Sequence, residues 1–138
     1  MSETHIGDFP LVQAWMVQQF EQQLPPKKFH EVIALMDGDQ LRGAVWLESY
    51  NGVSVTVHIA GAAPGWITRT FLRRMFGYVF NDLGCRKMLA PVRTVNQVSV
   101  RLVKGLGFRC EHTVEDADPE GGISLYTLTR ENCKYLEK

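Results

Sequence analysis

Two side chains in this sequence have the chemistry of a proton acceptor, and both lie on predicted strands. His58 falls in the segment Val53–Ile59, where valine and isoleucine alternate with polar residues and predict one apolar and one polar face. On the polar face a neutral imidazole can take a proton from an ammonium group, directly or through water. Glu48, at the end of the preceding predicted strand, is the alternative base. Either side chain can equally be an ordinary solvated residue, so the sequence leaves the identity of the base open.

The elements that must position these residues follow the order α, β, β, β, α, β, α, β, β along the chain. The first helix begins near Pro10, where a missing N–H costs little, and ends at Pro25 and Pro26. Two later helices carry apolar residues at helical spacing, one from Ile67 to Leu83 before Gly84, the other from Asn96 to Leu106 before Gly107. The predicted strands are Glu31–Met36, Leu41–Glu48, Val53–Ile59, Arg86–Val92, Phe108–Val114 and Ile123–Thr129, with a polar loop at Glu115–Gly122. This order predicts an α/β fold in which an antiparallel meander is followed by crossover units.

Composition limits the classes of function. The 138 residues suit one domain spanning 1–138, and 15 basic side chains balance 15 acidic ones, which gives no electrostatic footprint for nucleic-acid binding. No apolar stretch approaches the roughly 20 residues of a membrane helix, and the amino end does not resemble a signal peptide. The three cysteines are scattered and form no metal-ligand pattern, so we expect a cytoplasmic protein that binds neither metal nor membrane. Cys110 is expected to be a small buried residue on a strand.

The segment from Asn96 to Phe108 carries a recognisable motif. Its sequence, NQVSVRLVKGLGF, resembles the N-x-x-S-x-R-x-x-x-x-x-G-F signature of the GNAT superfamily of N-acetyltransferases, in the version found in enzymes that acetylate ribosomal-protein amino termini. The preceding stretch, residues 71–88, is also similar to the family, and the whole resemblance covers about residues 31–129. It implies a mixed, mostly antiparallel sheet with a splayed strand pair, flanked by helices. It also implies transfer of an acetyl group from acetyl-CoA to a primary amine by direct attack.

The resemblance also suggests which residues meet the cosubstrate. The pantetheine arm would lie along the strand containing Val57, Ile59 and Ala60, whose free backbone groups would pair with its amides. The pyrophosphate would lie on the loop and helix start at residues 62–69, where Gly65 allows close approach and Arg69 supplies charge. Asn96 would hold a cofactor amide or an ordered water, or serve only as a helix N-cap. Ser99 would touch the pantetheine arm or be a small packed residue.

Two departures from the family pattern support a second hypothesis. The loop PGWITR, residues 64–69, keeps one of the expected glycines, and Val103 stands where many members have a tyrosine that protonates the leaving thiolate. A catalytically degraded protein of this fold, serving as a binding or assembly module and possibly as a phage virion-associated protein, is therefore the alternative. For the enzyme, the expected acceptor is a small-molecule or peptide amine, and the expected state is a monomer or homodimer.

Overall fold

The computed structural model describes residues 2–19, 29–62 and 65–136. Within them lie strands β1 (Ser2–Gly7), β2 (Phe29–Asp37), β3 (Gln40–Glu48), β4 (Ser54–Gly61), β5 (Lys87–Arg93), β6 (Arg109–Asp118) and β7 (Gly121–Thr129). The helices are α1 (Pro10–Gln19), α2 (Arg69–Gly77), which continues as a π-helical segment at Tyr78–Asp82, and α3 (Gln97–Leu106). The strands form one sheet in the spatial order β1-β2-β3-β4-β5-β7-β6. Adjacent strands are antiparallel except β4 and β5, which are parallel. The predicted mixed, mostly antiparallel sheet is confirmed.

The sheet separates two apolar clusters because neighbouring residues on a strand point to opposite faces. On one face, Val45 and Leu47 of β3 pack in the larger cluster with the buried side of α2 and with Val103 and Leu106 of α3. On the other face, Ala44 and Trp46 pack in a smaller cluster with Met16 of α1. The sheet therefore presents an α2–α3 face and an α1 face, and residues of β4 alternate between them.

The structure corrects three predictions. Strand β1 was not predicted, because Ser2–Gly7 contains only one large apolar residue and shows no alternation, yet it pairs with β2 along its whole length. The predicted loop at Glu115–Gly122 is wrong, since β6 continues to Asp118 and β7 begins at Gly121. A register shift after Val114 and a positive φ of 59° at Asp116 accommodate the extra strand residues.

The third correction concerns Cys110, which is exposed rather than buried because β6 is an edge strand of the sheet and is exposed along nearly all of its length. The predicted end of the first helix, at Pro25 and Pro26, lies outside the described residues. In the part of the chain that the structure describes, no helix is long and apolar enough to cross a membrane.

Candidate active site

The central strands β4 and β5 separate part of the way along their length. They pair only from Ser54 to Thr56 and from Lys87 to Leu89, although both strands continue well beyond these residues. The predicted splayed strand pair is therefore confirmed. Pro91 lies two residues past the last pair, and a proline inside a central strand is tolerated where the ladder to one neighbour has ended. Pro91 is visible in the sequence, so it is a local feature from which an interruption of this ladder could have been predicted.

The separation of β4 and β5 creates a cleft. Its inner part is a cavity of about 230 Å³ that α3 closes on one side. Its lining comprises Val57, His58, Ile59, Ala90, Pro91, Val92, Arg93, Asn96, Ser99, Leu102, Val103 and Ile123. Its outer part is a groove of about 540 Å³ lined by Ile59, Gly61, Ala62, Gly65, Trp66, Ile67, Val98, Ser99 and Leu102. Because Ile59, Ser99 and Leu102 line both parts, the cavity and the groove adjoin.

Most of the residues predicted for the cosubstrate lie on this cleft. Val57, Ile59, Asn96 and Ser99 line the cavity, and Gly65 lines the groove. Two predicted residues line neither part. Ala60 packs against the cluster beneath α1, and Arg69 is the exposed first residue of α2. Their predicted contacts with a cosubstrate remain predictions.

The two candidate bases are hydrogen-bonded to each other. The Nε2 atom of His58 lies 3.2 Å from Oε1 of Glu48, and their side chains are only 14% and 16% exposed. His58 pairs across the strands with Trp46, so both lie on the α1 face of the sheet. Burial lowers the pKa of His58 below its ordinary value of 6.5, and the hydrogen bond and negative charge of Glu48 offset only part of that shift. The imidazole is therefore neutral at pH 7.

The carboxylate of Glu48 fixes the tautomer of His58. A carboxylate only accepts hydrogen bonds, so the neutral imidazole carries its hydrogen on Nε2 and its basic lone pair on Nδ1. The other carboxylate oxygen of Glu48, Oε2, is buried, and no described residue donates a hydrogen bond to it. Glu48 thus holds negative charge beside the imidazole in a position where water screens it poorly.

Asn96 is the N-cap of α3. Its Oδ1 accepts a hydrogen bond from the backbone N–H of Ser99 at 3.1 Å, as expected if Asn96 serves as a helix N-cap. Gly107 ends the same helix with a φ of 104°, as predicted. Both ends of α3 are therefore fixed by local hydrogen bonding, and the helix presents Ser99 and Val103 to the cavity.

Arg93 also lines the cavity and was not among the predicted site residues. Its Nε donates to Oδ1 of Asp118 at 2.6 Å, and its Nη2 donates to Oδ2 of Asp118 and to Oε1 of Glu120. The hydrogen bond from Arg93 holds the pKa of Asp118 below its ordinary value. The pair fixes the β6–β7 turn beside the cavity. Its partners are 25 residues apart, so no local pattern could have shown it.

Comparisons with known proteins identify the fold. No family model matches the chain, and no curated protein sequence matches it. Among solved structures, the spermidine/spermine N-acetyltransferase SpeG from Vibrio cholerae is 15% identical with a TM-score of 0.68, covering 93% of this chain and 92% of that one. The N-acetyltransferase PseH from Campylobacter jejuni is 13% identical with a TM-score of 0.65, covering 94% and 98%. A GNAT-family acetyltransferase from Bacillus anthracis is 14% identical with a TM-score of 0.59, covering 72% and 66%. At these identities the likeness concerns the fold, and the chain has the fold of GNAT acetyltransferases.

Proposed function

We propose that this protein is an N-acetyltransferase that moves an acetyl group from acetyl-CoA to a primary amine by direct attack. The observation that carries the proposal is the cleft between β4 and β5, where His58, hydrogen-bonded to Glu48 in a part-buried pair, lines a cavity that adjoins an outer groove. The acetyltransferase fold supports this chemistry. The alternative of a degraded binding module is not favoured, because the named structural neighbours are acetyltransferases.

The cleft suits acetyl-CoA in two respects. Beyond Thr56, β4 has no strand partner on its β5 side, so its backbone groups there can pair with the amides of a pantetheine arm. Val57, Ile59 and Leu102 provide an apolar lining for the same arm. At the outer end, the groove reaches the loop before α2, where the helix dipole and free backbone N–H groups favour phosphate.

In the proposed reaction, each face of the sheet receives one of the two substrates. Val57 and Ile59 face α2 and α3, whereas His58 faces the α1 side with Glu48 and Trp46. A cosubstrate lying along the α2–α3 face would bring its thioester to the gap. An amine arriving from the α1 face would reach the carbonyl through that gap with His58 beside it. Binding of both substrates at the gap would position the amine for attack on the thioester, so no covalent enzyme intermediate is needed.

The proposed reaction needs one proton acceptor on the protein. The acceptor ammonium gives a proton to the neutral imidazole of His58, either directly or through a water, and the imidazolium is stabilised by Glu48. The free amine then attacks the thioester carbonyl and the new C–N bond forms. As the C–S bond breaks, the nitrogen loses its second proton to water, and the departing thiolate takes a proton from solvent. Solvent fills this last role because Val103, with no acidic proton, stands in the cavity wall where a tyrosine is common in the family.

Two classes of acceptor amine have support. The motif from Asn96 to Phe108, with its resemblance to enzymes acting on ribosomal-protein amino termini, favours a peptide α-amine. The structural likeness to a spermidine/spermine acetyltransferase favours a small polyamine. The free thiols of Cys85, Cys110 and Cys133 suit a reducing compartment such as the cytoplasm.

The proposal is tested first by binding and then by kinetics. Calorimetry with acetyl-CoA should show one site, and the melting temperature should rise with ligand concentration. An acceptor screen with polyamines and amino-terminal peptides then gives kcat/KM, which should rise with pH through an inflection below 6.5, because burial lowers the pKa of His58 and its neutral form is active.

Three variants test the base. His58→Ala should lose on the order of 100-fold in kcat with unchanged acetyl-CoA affinity. His112→Ala, at an exposed histidine of β6, is the matched control and should behave as wild type. Full activity in His58→Ala together with loss in Glu48→Gln would assign the base to Glu48. No binding of acetyl-CoA at millimolar concentration would refute the proposed function altogether.

A further inference from the structure

The side chain of Trp66 lies flat against the backbone of two glycines. Gly43 of β3 and Gly61 of β4 pair with each other across the strands, and Trp66 is only 8% exposed. A Cβ atom added at Gly43 would lie 2.3 Å from Cε3 of the indole, and one added at Gly61 would lie 2.0 Å from its Nε1. Neither distance is possible between real atoms. The paired glycines therefore form a slot that the indole fills, and only glycine at both positions leaves room for it.

The same indole contacts the start of α2. Its ring meets the edge of Phe71 with centroids 5.2 Å apart and planes at 64°. The backbone N–H of Phe71 donates to Oγ1 of Thr68, which is the N-cap of the helix. Just before the loop, the N–H of Ala62 donates to the carbonyl of Arg42 at 2.8 Å. Trp66 thus ties the sheet to the first turn of α2 by packing on both.

This anchored segment is also one wall of the outer groove. Gly61, Gly65, Trp66 and Ile67 line the groove on this side, and Val98 and Ser99 of α3 line it on the other. A shift of the indole would therefore move both the groove wall and the helix start that faces it.

We propose that Trp66, seated in the Gly43–Gly61 slot, is the positioning residue that holds the loop at residues 65–69 in the conformation that receives the phosphates of acetyl-CoA. This inference rests on the proposed function. It explains how a loop with a single glycine can bind phosphates. A buried aromatic side chain holds the loop backbone in place, so additional glycines within the loop are not needed. Trp66 acts through the loop backbone and takes no part in the transfer of the acetyl group.

The inference predicts a loss that is confined to ligands carrying phosphates. In Gly61→Ala the new methyl group and the indole cannot occupy the same space, so the ring must leave the slot and the loop must move with it. In Trp66→Ala the slot stays open but the anchor is gone. In the proposed binding mode the pantetheine arm lies along β4 and α3 rather than on this loop, so the affinity for the arm should not depend on Trp66.

The experiment compares the binding of two ligands to wild type and to three variants. Binding of acetyl-CoA is measured by calorimetry, and binding of acetyl-pantetheine, which has no nucleotide phosphates, is measured by ligand-observed NMR titration. We expect Kd for acetyl-CoA to rise about tenfold in Gly61→Ala and in Trp66→Ala, which corresponds to loss of one charge-assisted hydrogen bond. Kd for acetyl-pantetheine should change less than twofold. The double variant should be no worse than either single variant, because both changes remove the same contact.

Two further variants separate positioning from general damage. Gly77→Ala adds a methyl group at the other end of α2, where the backbone is helical and no described residue outside this stretch of helix comes within 4 Å of the new methyl group. This variant should bind both ligands as wild type does. Trp66→Phe keeps a ring in the slot and should retain acetyl-CoA affinity within about threefold, a fraction of one charge-assisted hydrogen bond.

Each failure has its own signature. If wild type binds acetyl-CoA but the variants lose both ligands equally, or the losses in the double variant add, the positioning role is overturned while the proposed function stands. A loss in Trp66→Phe as large as in Trp66→Ala also overturns it, provided that both proteins melt as folded domains. If wild type binds neither ligand, the proposed function falls and the role of Trp66 falls with it.

Discussion

Replacement of Asn96 by alanine should lower the free energy of unfolding by about 1 kcal/mol, because it removes the N-cap of α3. The first backbone N–H groups of a helix have no partner within the helix, and Oδ1 of Asn96 satisfies that of Ser99 at 3.1 Å. Losses at such caps range from about 0.5 to 2 kcal/mol. In a domain of this size, about 1 kcal/mol corresponds to a drop in melting temperature of about 3–5 °C.

Two other substitutions at Asn96 distinguish its role as a helix cap from a role in binding acetyl-CoA. Asn96→Asp and Asn96→Ser each keep an oxygen that can accept from Ser99, so both should retain stability within about 0.5 kcal/mol of wild type. Neither retains the side-chain amide N–H₂ with which Asn96 could hold a cofactor amide. If Asn96 has that second role, both variants bind acetyl-CoA more weakly at unchanged stability. If it is only a cap, both bind normally.

Urea unfolding followed by circular dichroism measures the stability of each variant, and calorimetry measures its affinity for acetyl-CoA. Val98→Ala is the matched control, because Val98 is 70% exposed in the same turn of α3 and its truncation should change stability by less than about 0.5 kcal/mol. An Asn96→Ala protein with the midpoint of wild type, or an Asn96→Asp protein as unstable as Asn96→Ala, would refute the cap.

Three other outcomes follow from the structure. A thiol reagent should modify the exposed Cys110 rapidly, while Cys85 and Cys133 should react only on unfolding, because they are buried and burial raises the pKa of both thiols. Gly107→Ala should cost about 1–2 kcal/mol in urea unfolding, because a φ of 104° suits glycine alone. Stability should fall as the pH drops below 6.5, because the unfolded state then binds a proton that the part-buried His58 resists, and the slope should be smaller in His58→Gln.

The features that the sequence predicted well are those that depend on neighbours within a few residues. Asn96 and Gly107 mark the two ends of α3. Capping chemistry acts over three or four residues, so the motif and the limits of the helix could be predicted together. The alternation around Val55 and Val57 likewise placed β4 and its two faces to within a few residues.

The features that escaped prediction depend on contacts between distant parts of the chain. Glu48 and His58 were two competing bases in the sequence, and only the register of β3 against β4 brings them into one hydrogen-bonded pair. The position of Trp66 could not be predicted, because its slot requires Gly43 and Gly61 on two paired strands. Cys110 was expected to be buried because it lies on a strand, but the pairing order of the whole sheet makes β6 an edge strand.

The separation of β4 and β5 bears on whether the chain is an enzyme or a degraded relative. A regular sheet would continue the ladder past Thr56 and Leu89, and each buried backbone group left without a partner costs about 1–3 kcal/mol. Pro91 has no N–H to donate to a ladder, and it lines the cavity at the gap. A ligand with amide groups that lies along β4 replaces the missing strand and restores those hydrogen bonds, and this gain adds to its affinity. In a protein that no longer bound such a ligand, the unpaired backbone groups would destabilise the sheet and no ligand would compensate for them. Substitutions that closed the gap would then stabilise the protein. The retained gap, together with the part-buried pair of His58 and Glu48 beside it, is therefore a physical ground for preferring the binding of acetyl-CoA over a purely structural use of the fold.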